Sequence, residues 1–379
     1  MNRNKEFFSQ IAQEIVIPAN LSVKSQNIYF WGRNNYYPYQ LLECFYNSPT
    51  HQSLVKSKVG GIIGEGIKVE NEANYKEYLK FGNKDLNTIA ENIAFDLVLF
   101  GGFSMKVVRS IDTRFIHVDN LDFSGVRFST EKMDDEGNLY EIVYSRDWKN
   151  SALKENRKKV YEIYDKNIIQ DTSAFVYMKE TKAGQRYPRP SYEAALESII
   201  CEHEIQLFHL RNLMNNYSPT MIIKLKASMP DEDYRLFKQQ LEEKYKGADN
   251  AGGILILAGE NPETTPDIEF VKPEMQDSVY IEQMAQIKQS ILTAHQVTNP
   301  SIGGLPSQGA FSSGEEIRIS YDLFDRTVIS PLRNTVVNSL NTIFENSDWN
   351  IGKIELVPTN FDLSVTNNKN TQDQTIVNQ

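Results

Sequence analysis

Apolar side chains recur at Leu86, Ile89, Ile93, Leu97 and Phe100, a spacing that predicts a helix buried along one face. Residues 38–59 carry a helical pattern that restarts at Ser48-Pro49, with serine as cap and proline in the first turn. The following GGIIGEGIKVE reads as a glycine-rich turn entering a strand. After Gly101-Gly102 the period changes to two. FSMKVVRS, FIHVDNLDFSGVRFS, LYEIVYSRDW, KVYEIYD and SAFVYMKE are rich in Val, Ile, Tyr and Phe and read as strands, with a hairpin signal at Asp135-Glu136-Gly137-Asn138.

From Ser191 the helical period returns. Leu196, Ile199, Ile200, His203, Leu207, Leu210 and Met214 form one stripe of near-heptad spacing. Residues 218–276 then read as a small strand–helix–strand–strand insert. Its helix begins after Pro230 at Asp231, Glu232 and Asp233, where acidic residues favour a helix start. A second long helix covers about 278–296, with Ile281, Met284, Ile287 and Ile291 on one side and Leu292 or His295 continuing the row. Residues 298–314 carry no charge and hold four glycines and two prolines. A long helical pattern follows over about 314–344, broken once at Pro331. The last residues are rich in Asn, Gln and Thr and read as disordered.

These periods predict an α+β chain in eight segments. They are an N-terminal arm (1–35), a β-rich part (36–190), a helix (191–217), a small α/β insert (218–276), a second helix (277–297), the uncharged loop (298–314), a long helix with a return strand (315–362) and a tail (363–379). Two long helices bracketing a compact insert place it at the far end of a helical hairpin.

Composition narrows the function. A chain of 379 residues buries a sizeable interior, and 40% apolar with 24% charged residues is globular. The net charge of −10 argues against a broad basic face that grips phosphates, yet suits a surface past which DNA slides without adhering. Cys44 and Cys201 have no metal or redox spacing and read as free thiols in a reducing compartment. Residues 1–18 lack the apolar core of a signal peptide, and the most apolar run, IAFDLVLFGGF, is interrupted by Asp96. The chain therefore reads as soluble and made in the cytoplasm, with no membrane partner.

Signals for bond-making chemistry are weak. His203 and His209 are six apart, not on one helical face as a zinc helix requires. GGIIGEG fits no dinucleotide fingerprint, and Gly352-Lys353 is followed by Ile, not Ser or Thr. The histidines at 51, 117, 203, 209 and 295 show no triad spacing. No cofactor, metal or catalytic residue is therefore assigned, and the chain does not read as an enzyme. Basic clusters at 149–159 and 179–189 read as exposed hairpin tips, or as contacts to an acidic protein surface or to DNA. Glu193, Glu197, Glu202 and Glu204 read as a solvated acidic stripe, or one lining a bore.

Three segments carry a resemblance to portal proteins, the head–tail connectors of tailed bacteriophages. They are YPYQLLECFYNSPTHQSLVKSKVGGIIGEGIKVE, AENIAFDLVLFGGFSMKVVRS and QVTNPSIGGLPSQGAFSSGEEIRISYDLFDRTVISPLRNTVVNSLNTIF, the last with the proline of VISPLRN. Their order and spacing, over nearly the whole chain, resemble the family's wing, stem helix, clip, stem helix, channel loop and long wing helix. The chain lacks the C-terminal helical crown of larger portals. The resemblance implies a virion location at one capsid vertex and a homo-oligomeric ring of usually about twelve subunits. It implies a passage for double-stranded DNA during packaging and ejection, with the terminase, the major capsid protein and a head–tail adaptor as partners. It places Gly303, Gly304, Leu305, Ser307, Gln308, Phe311, Ser312 and Ser313 in a DNA-facing channel loop. Asp231, Glu232, Glu242 and Glu243 fall in a clip that docks the terminase and later the adaptor. Leu207, Leu210, Met284 and Ile287 fall at the subunit interface. Two alternatives stay open: a metal-dependent nucleic-acid enzyme, favoured if Asp119, Asp122, Asp134 and Asp135 cluster, or a structural head protein that forms no ring.

Overall fold

The computed structural model describes residues 27–32, 34–112, 114–130, 140–151, 153–179, 186–214, 220–224, 236, 267–271, 277–305, 314–345 and 347–359. The chain forms two compact units, one of Met1–Ile199 with Ser290–Gln379 and one of Ile200–Gln289. The first 26 residues, the hairpin signal at 135–138, most of the insert at 218–276, and the tail at 363–379 lie outside the described residues.

The larger unit opens with two helices, α1 (Tyr37–Asn47) and α2 (Pro49–Ile63), split where the restart signal stands. The Ser48 side chain accepts a hydrogen bond from the His51 amide and so satisfies one orphan donor of the new helix. The helix does not stop at the glycines: α2 runs through Gly60 and Gly61, and the turn comes at Gly64. At Gly61 the Ile329 side chain packs where a Cβ would crowd it, at 3.3 Å. Gly61→Val should therefore overpack this contact and cost about 2 kcal/mol, read as a lower denaturant midpoint.

Strand β1 (Ile67–Val69) follows and pairs antiparallel with β10 (Ile354–Leu356), which returns from the far end of the chain. Helix α3 (Glu72–Lys80), capped by Asn71, is an element the apolar pattern does not announce, since Tyr78 is its one fully buried side chain. Helix α4 (Leu86–Phe100) spans the predicted apolar row and ends at Gly101, which takes a left-handed φ of 81°.

The β-rich part is one six-stranded sheet: β2 (Gly102–Arg109), β3 (Ile116–Leu121), β4 (Val126–Phe128), β5 (Glu141–Tyr144), β6 (Lys159–Ile163) and β7 (Thr172–Met178). The spatial order is β3-β2-β7-β6-β5-β4, antiparallel except for the parallel pair β6–β7. The long run 115–129 thus becomes two strands, broken at a 3-10 turn that Asp122 caps.

The segment read as the end of a polar arm is core from Ile28. Trp31 is fully buried and stacks on Tyr187 at 4.6 Å, which stacks on Phe128 at 4.5 Å. The Tyr187 hydroxyl donates to the Tyr29 carbonyl at 2.5 Å and accepts from the Phe128 amide at 3.1 Å. Arg127 is fully buried beside them. It donates to the Asn35 side chain and to the carbonyls of Asn35, Ser124 and Val126, with its guanidinium over the rings of Trp31 and Trp148. Desolvation holds its pKa down to about 10, so it still carries its charge at neutral pH.

After the sheet come α5 (Leu196–Met214), α6 (Asp277–Ala294), α7 (Gly314–Phe324) and α8 (Ser330–Phe344). Between α5 and α6, the strands β8 (Thr220–Lys224) and β9 (Asp267–Val271) pair antiparallel, so the chain leaves along one helix and returns along the other. Among the described residues no helix is long and apolar enough to cross a membrane.

Candidate channel and assembly elements

The uncharged loop starts from an anchored base. Asn299 caps a 3-10 turn, Pro300–Gly303, and Gly304 closes it at a φ of 70°. The Ser53 hydroxyl of α2 donates to the Gly303 carbonyl. A Cβ at Gly303 would lie 2.5 Å from Cδ2 of the buried Leu54, so a larger residue there must displace that side chain for the turn to seat on α2. Gly303 is thus buried, Gly304 exposed and Leu305 half-buried. Ser307, Gln308, Phe311, Ser312 and Ser313 lie outside the described residues.

One turn earlier, the structure joins two histidines that stand 244 positions apart in the chain. His51 Nδ1 and His295 Nε2 lie 2.9 Å apart, one ring donating to the other, and both rings are fully buried. Tyr192 stacks on His295 at 5.0 Å and 9°, and Phe45 meets His51 edge-on. Among the described residues His51 Nε2 and His295 Nδ1 have no hydrogen-bond partner. Burial, and then the Lys58 ammonium, push both imidazoles far below the ordinary histidine range, so the pair is neutral. Lys58 itself is buried and pushed down to about 8. The pair clasps α2 to the base of the loop.

Beyond the loop, the helix broken at Pro331 is continuous but not uniform. Residues Asp325–Ile329 form a π-turn between α7 and α8. A proline ring clashes with the carbonyl four residues back in an α-helix, and the wider turn makes room for it. Arg333 locks this turn in place. Its Nε donates to the Ile62 carbonyl at 3.1 Å, and its Nη2 donates to the Gly61 carbonyl at 2.6 Å and to Asp325 at 2.7 Å. The guanidinium thereby caps the carbonyl end of α2.

In the smaller unit, α5 and α6 meet through Phe208, His209 and Tyr280, with Phe208 and Tyr280 stacked at 5.8 Å. Leu207, Met284 and Ile287 are half-buried. Leu210 is 51% exposed and Ile281 70% exposed, so the two stripes hold more apolar surface than this helix pair covers. The acidic stripe is not one solvated face: Glu202 is buried, and Glu193 accepts from the Tyr37 hydroxyl and pairs with Arg189. Asp231, Glu232, Glu242 and Glu243 lie outside the described residues.

The carboxylates do not gather where they are described. Asp119 pairs with Lys84 at 2.5 Å, and Asp122 caps the Ser124 amide. Asp134 and Asp135 lie outside the described residues. Asp96, the interruption in the apolar run, is buried and accepts from the Phe123 amide; burial, with Asp122 nearby, raises its pKa well above the ordinary carboxylate range. Among the described residues no group of three or more His, Cys, Asp or Glu side chains could hold a metal ion. The histidine pair and Arg333 escape sequence reading, because nothing in the spacing links residues so far apart. Pro331 was the one local mark of the π-turn.

No protein-family model matches the chain, and no curated protein matches it by sequence. Solved structures do. A chain of the neck of an empty gene transfer agent particle, computed with C6 symmetry, superposes with a TM-score of 0.57 at 17% identity, covering 92% of this chain and 89% of that one. A chain of the virion of the native gene transfer agent particle gives 0.56 at 16%, covering 89% and 87%. A chain of the native particle's neck, computed with C12 symmetry, gives 0.54 at 16%, covering 85% and 83%. The chain has the fold of these virion and neck chains over most of its length.

Proposed function

We propose that this chain is a structural subunit of the head–tail junction of a phage-like particle, and within it the portal: a ring around a DNA channel at one capsid vertex. The observation that carries the reading is the shared fold with neck chains of particles computed with C12 and C6 symmetry, over more than four-fifths of both chains. The apolar side chains left exposed on α5 and α6 support it, since a closed ring needs a heterologous interface repeated between neighbours. In this reading Leu207, Leu210, Met284 and Ile287 join adjacent subunits. The loop after Gly304 faces the channel, held at its base by α2. The insert at 218–276, with net charge −4 from 11 acidic and 7 basic residues, docks the terminase during packaging and an adaptor afterwards. DNA passes without covalent chemistry.

Electron microscopy of the purified chain tests this. Rings are expected from the wild type and monomers from Leu210→Asp, which places a charge in the apolar seam. A wild type that stays monomeric under capsid-like conditions, or a Leu210→Asp protein that forms rings equally well, would count against the portal assignment and leave a head protein that makes no ring.

A further inference from the structure

The connection between β5 and β6, with the first residue of β6, carries a charge opposite to that of the whole chain. Residues 146–159 hold six cations (Arg146, Lys149, Lys154, Arg157, Lys158 and Lys159) against two carboxylates, in a chain of net charge −10. All six but the half-buried Lys158 are exposed. Among the described residues, Arg146, Lys154, Arg157 and Lys159 form no ion pair, although Lys84, Arg114, Lys166, Arg189, Arg333 and Lys353 do.

This connection is a built surface rather than a loose tip. Its first residue, Ser145, is buried and its hydroxyl lies within donating distance of both the Asp147 and Asn156 carbonyls, at 3.1 and 2.9 Å. Trp148 is turned inward, 7% exposed, with its indole N–H on the Gly125 carbonyl at 2.8 Å. Both Asp147 oxygens are engaged, one by the Lys149 amide and one by the Asn150 side chain, so this carboxylate is turned to the loop's own backbone. Lys149 lies over Tyr36 at 5.1 Å and Lys158 over Trp148 at 5.4 Å. The cations are thus presented on a fixed frame, which lowers the ordering cost of binding.

We infer that this corner binds the sugar–phosphate backbone of nucleic acid, duplex DNA in the first instance. A protein partner would want an apolar centre to the patch. Here the aromatic ring is consumed inside, and Leu153 is the exposed large apolar side chain of residues 146–159. Six cations against two exposed apolar side chains, Leu153 and the neighbouring Val160, suit a partner recognised chiefly by charge. The inference needs no ring, so it stands or falls apart from the portal reading.

The test is fluorescence anisotropy of the full chain with a short labelled DNA duplex of mixed sequence, titrated across salt concentrations. The wild type should bind at low salt, with log K falling against log salt at a slope of roughly −4 for four to five engaged phosphates. The double substitution Lys154→Ala with Arg157→Ala should flatten that slope by about 2 and weaken binding roughly 50-fold near 0.1 M salt. Lys154→Arg with Arg157→Lys, which keeps both charges, should retain slope and affinity. Three results would each overturn the assignment: no duplex binding by the wild type at low salt, an unchanged slope in the alanine variant, or tighter binding of a poly-glutamate peptide than of DNA at matched charge. The last would make the corner a dock for an acidic protein.

Discussion

Acidification from neutral to about pH 5 should remove on the order of 4 kcal/mol from the folding stability of the larger unit through His51 and His295 alone. Both rings are buried, and their folded pKa values lie far below the ordinary 6.5, at about 3 for His51. The sign follows directly. Above pH 6.5 neither state binds these protons. Below it the unfolded chain takes them up and the folded chain does not, so stability falls with pH until the folded value is reached. Each ring loses about 2 kcal/mol by about pH 5. Lys58 adds no slope in this window, because its folded value of about 8 means its own loss is complete by then. Asp96 acts in the opposite direction, since its raised pKa makes the folded state gain stability as pH falls. The double variant His51→Asn with His295→Gln isolates the pair: the amides imitate the joined ring nitrogens but do not titrate. Urea unfolding of both proteins should give a stability difference that shrinks by about 4 kcal/mol between pH 7 and about pH 5. Parallel pH profiles would show that the clasp does not sense protons.

Arg333→Met should cost about 3 kcal/mol and loosen the helix at its π-turn. The guanidinium satisfies two carbonyls at the end of α2 and the Asp325 carboxylate, and removing it leaves all three without that partner. Deleting one member of a buried pair costs about 3–5 kcal/mol, and the lower figure applies because Asp325 is partly solvated. Asp325→Asn, which keeps an acceptor, should cost less than half as much. Thermal unfolding followed by helical circular dichroism measures both. Equal midpoints for Arg333→Met and wild type would show that packing at Gly61 and Ile329 alone holds the turn. In the portal reading the turn lies between the channel loop and the body of the unit, so this variant also asks whether the loop's support matters to packaging.

Much of this protein follows from short-range pattern. The apolar row from Leu86 to Phe100 is a helix to the residue, because burying one face at a 3.6 period leaves little choice of structure. Ser48-Pro49 splits two helices, because a cap and a fixed φ act within one turn. The five β-type runs all contribute strands, and the α+β class follows from their order. The uncharged loop and Pro331 marked the chain's most unusual region, as composition alone can do. Tertiary structure decided what no window of sequence holds. It joined His51 to His295, since burial of both rings depends on helices from opposite ends of the chain. It carried α2 through Gly60 and Gly61, and at Gly61 the Ile329 side chain packs where a Cβ would crowd it. It drew residues from Ile28 onward into the core, because Trp31 finds its stacking partner at Tyr187. It turned Pro331 from a break into a π-turn, because Arg333 reaches back to α2 and Asp325. Local geometry is set by neighbours along the chain, whereas burial and charge pairing are set by neighbours in space.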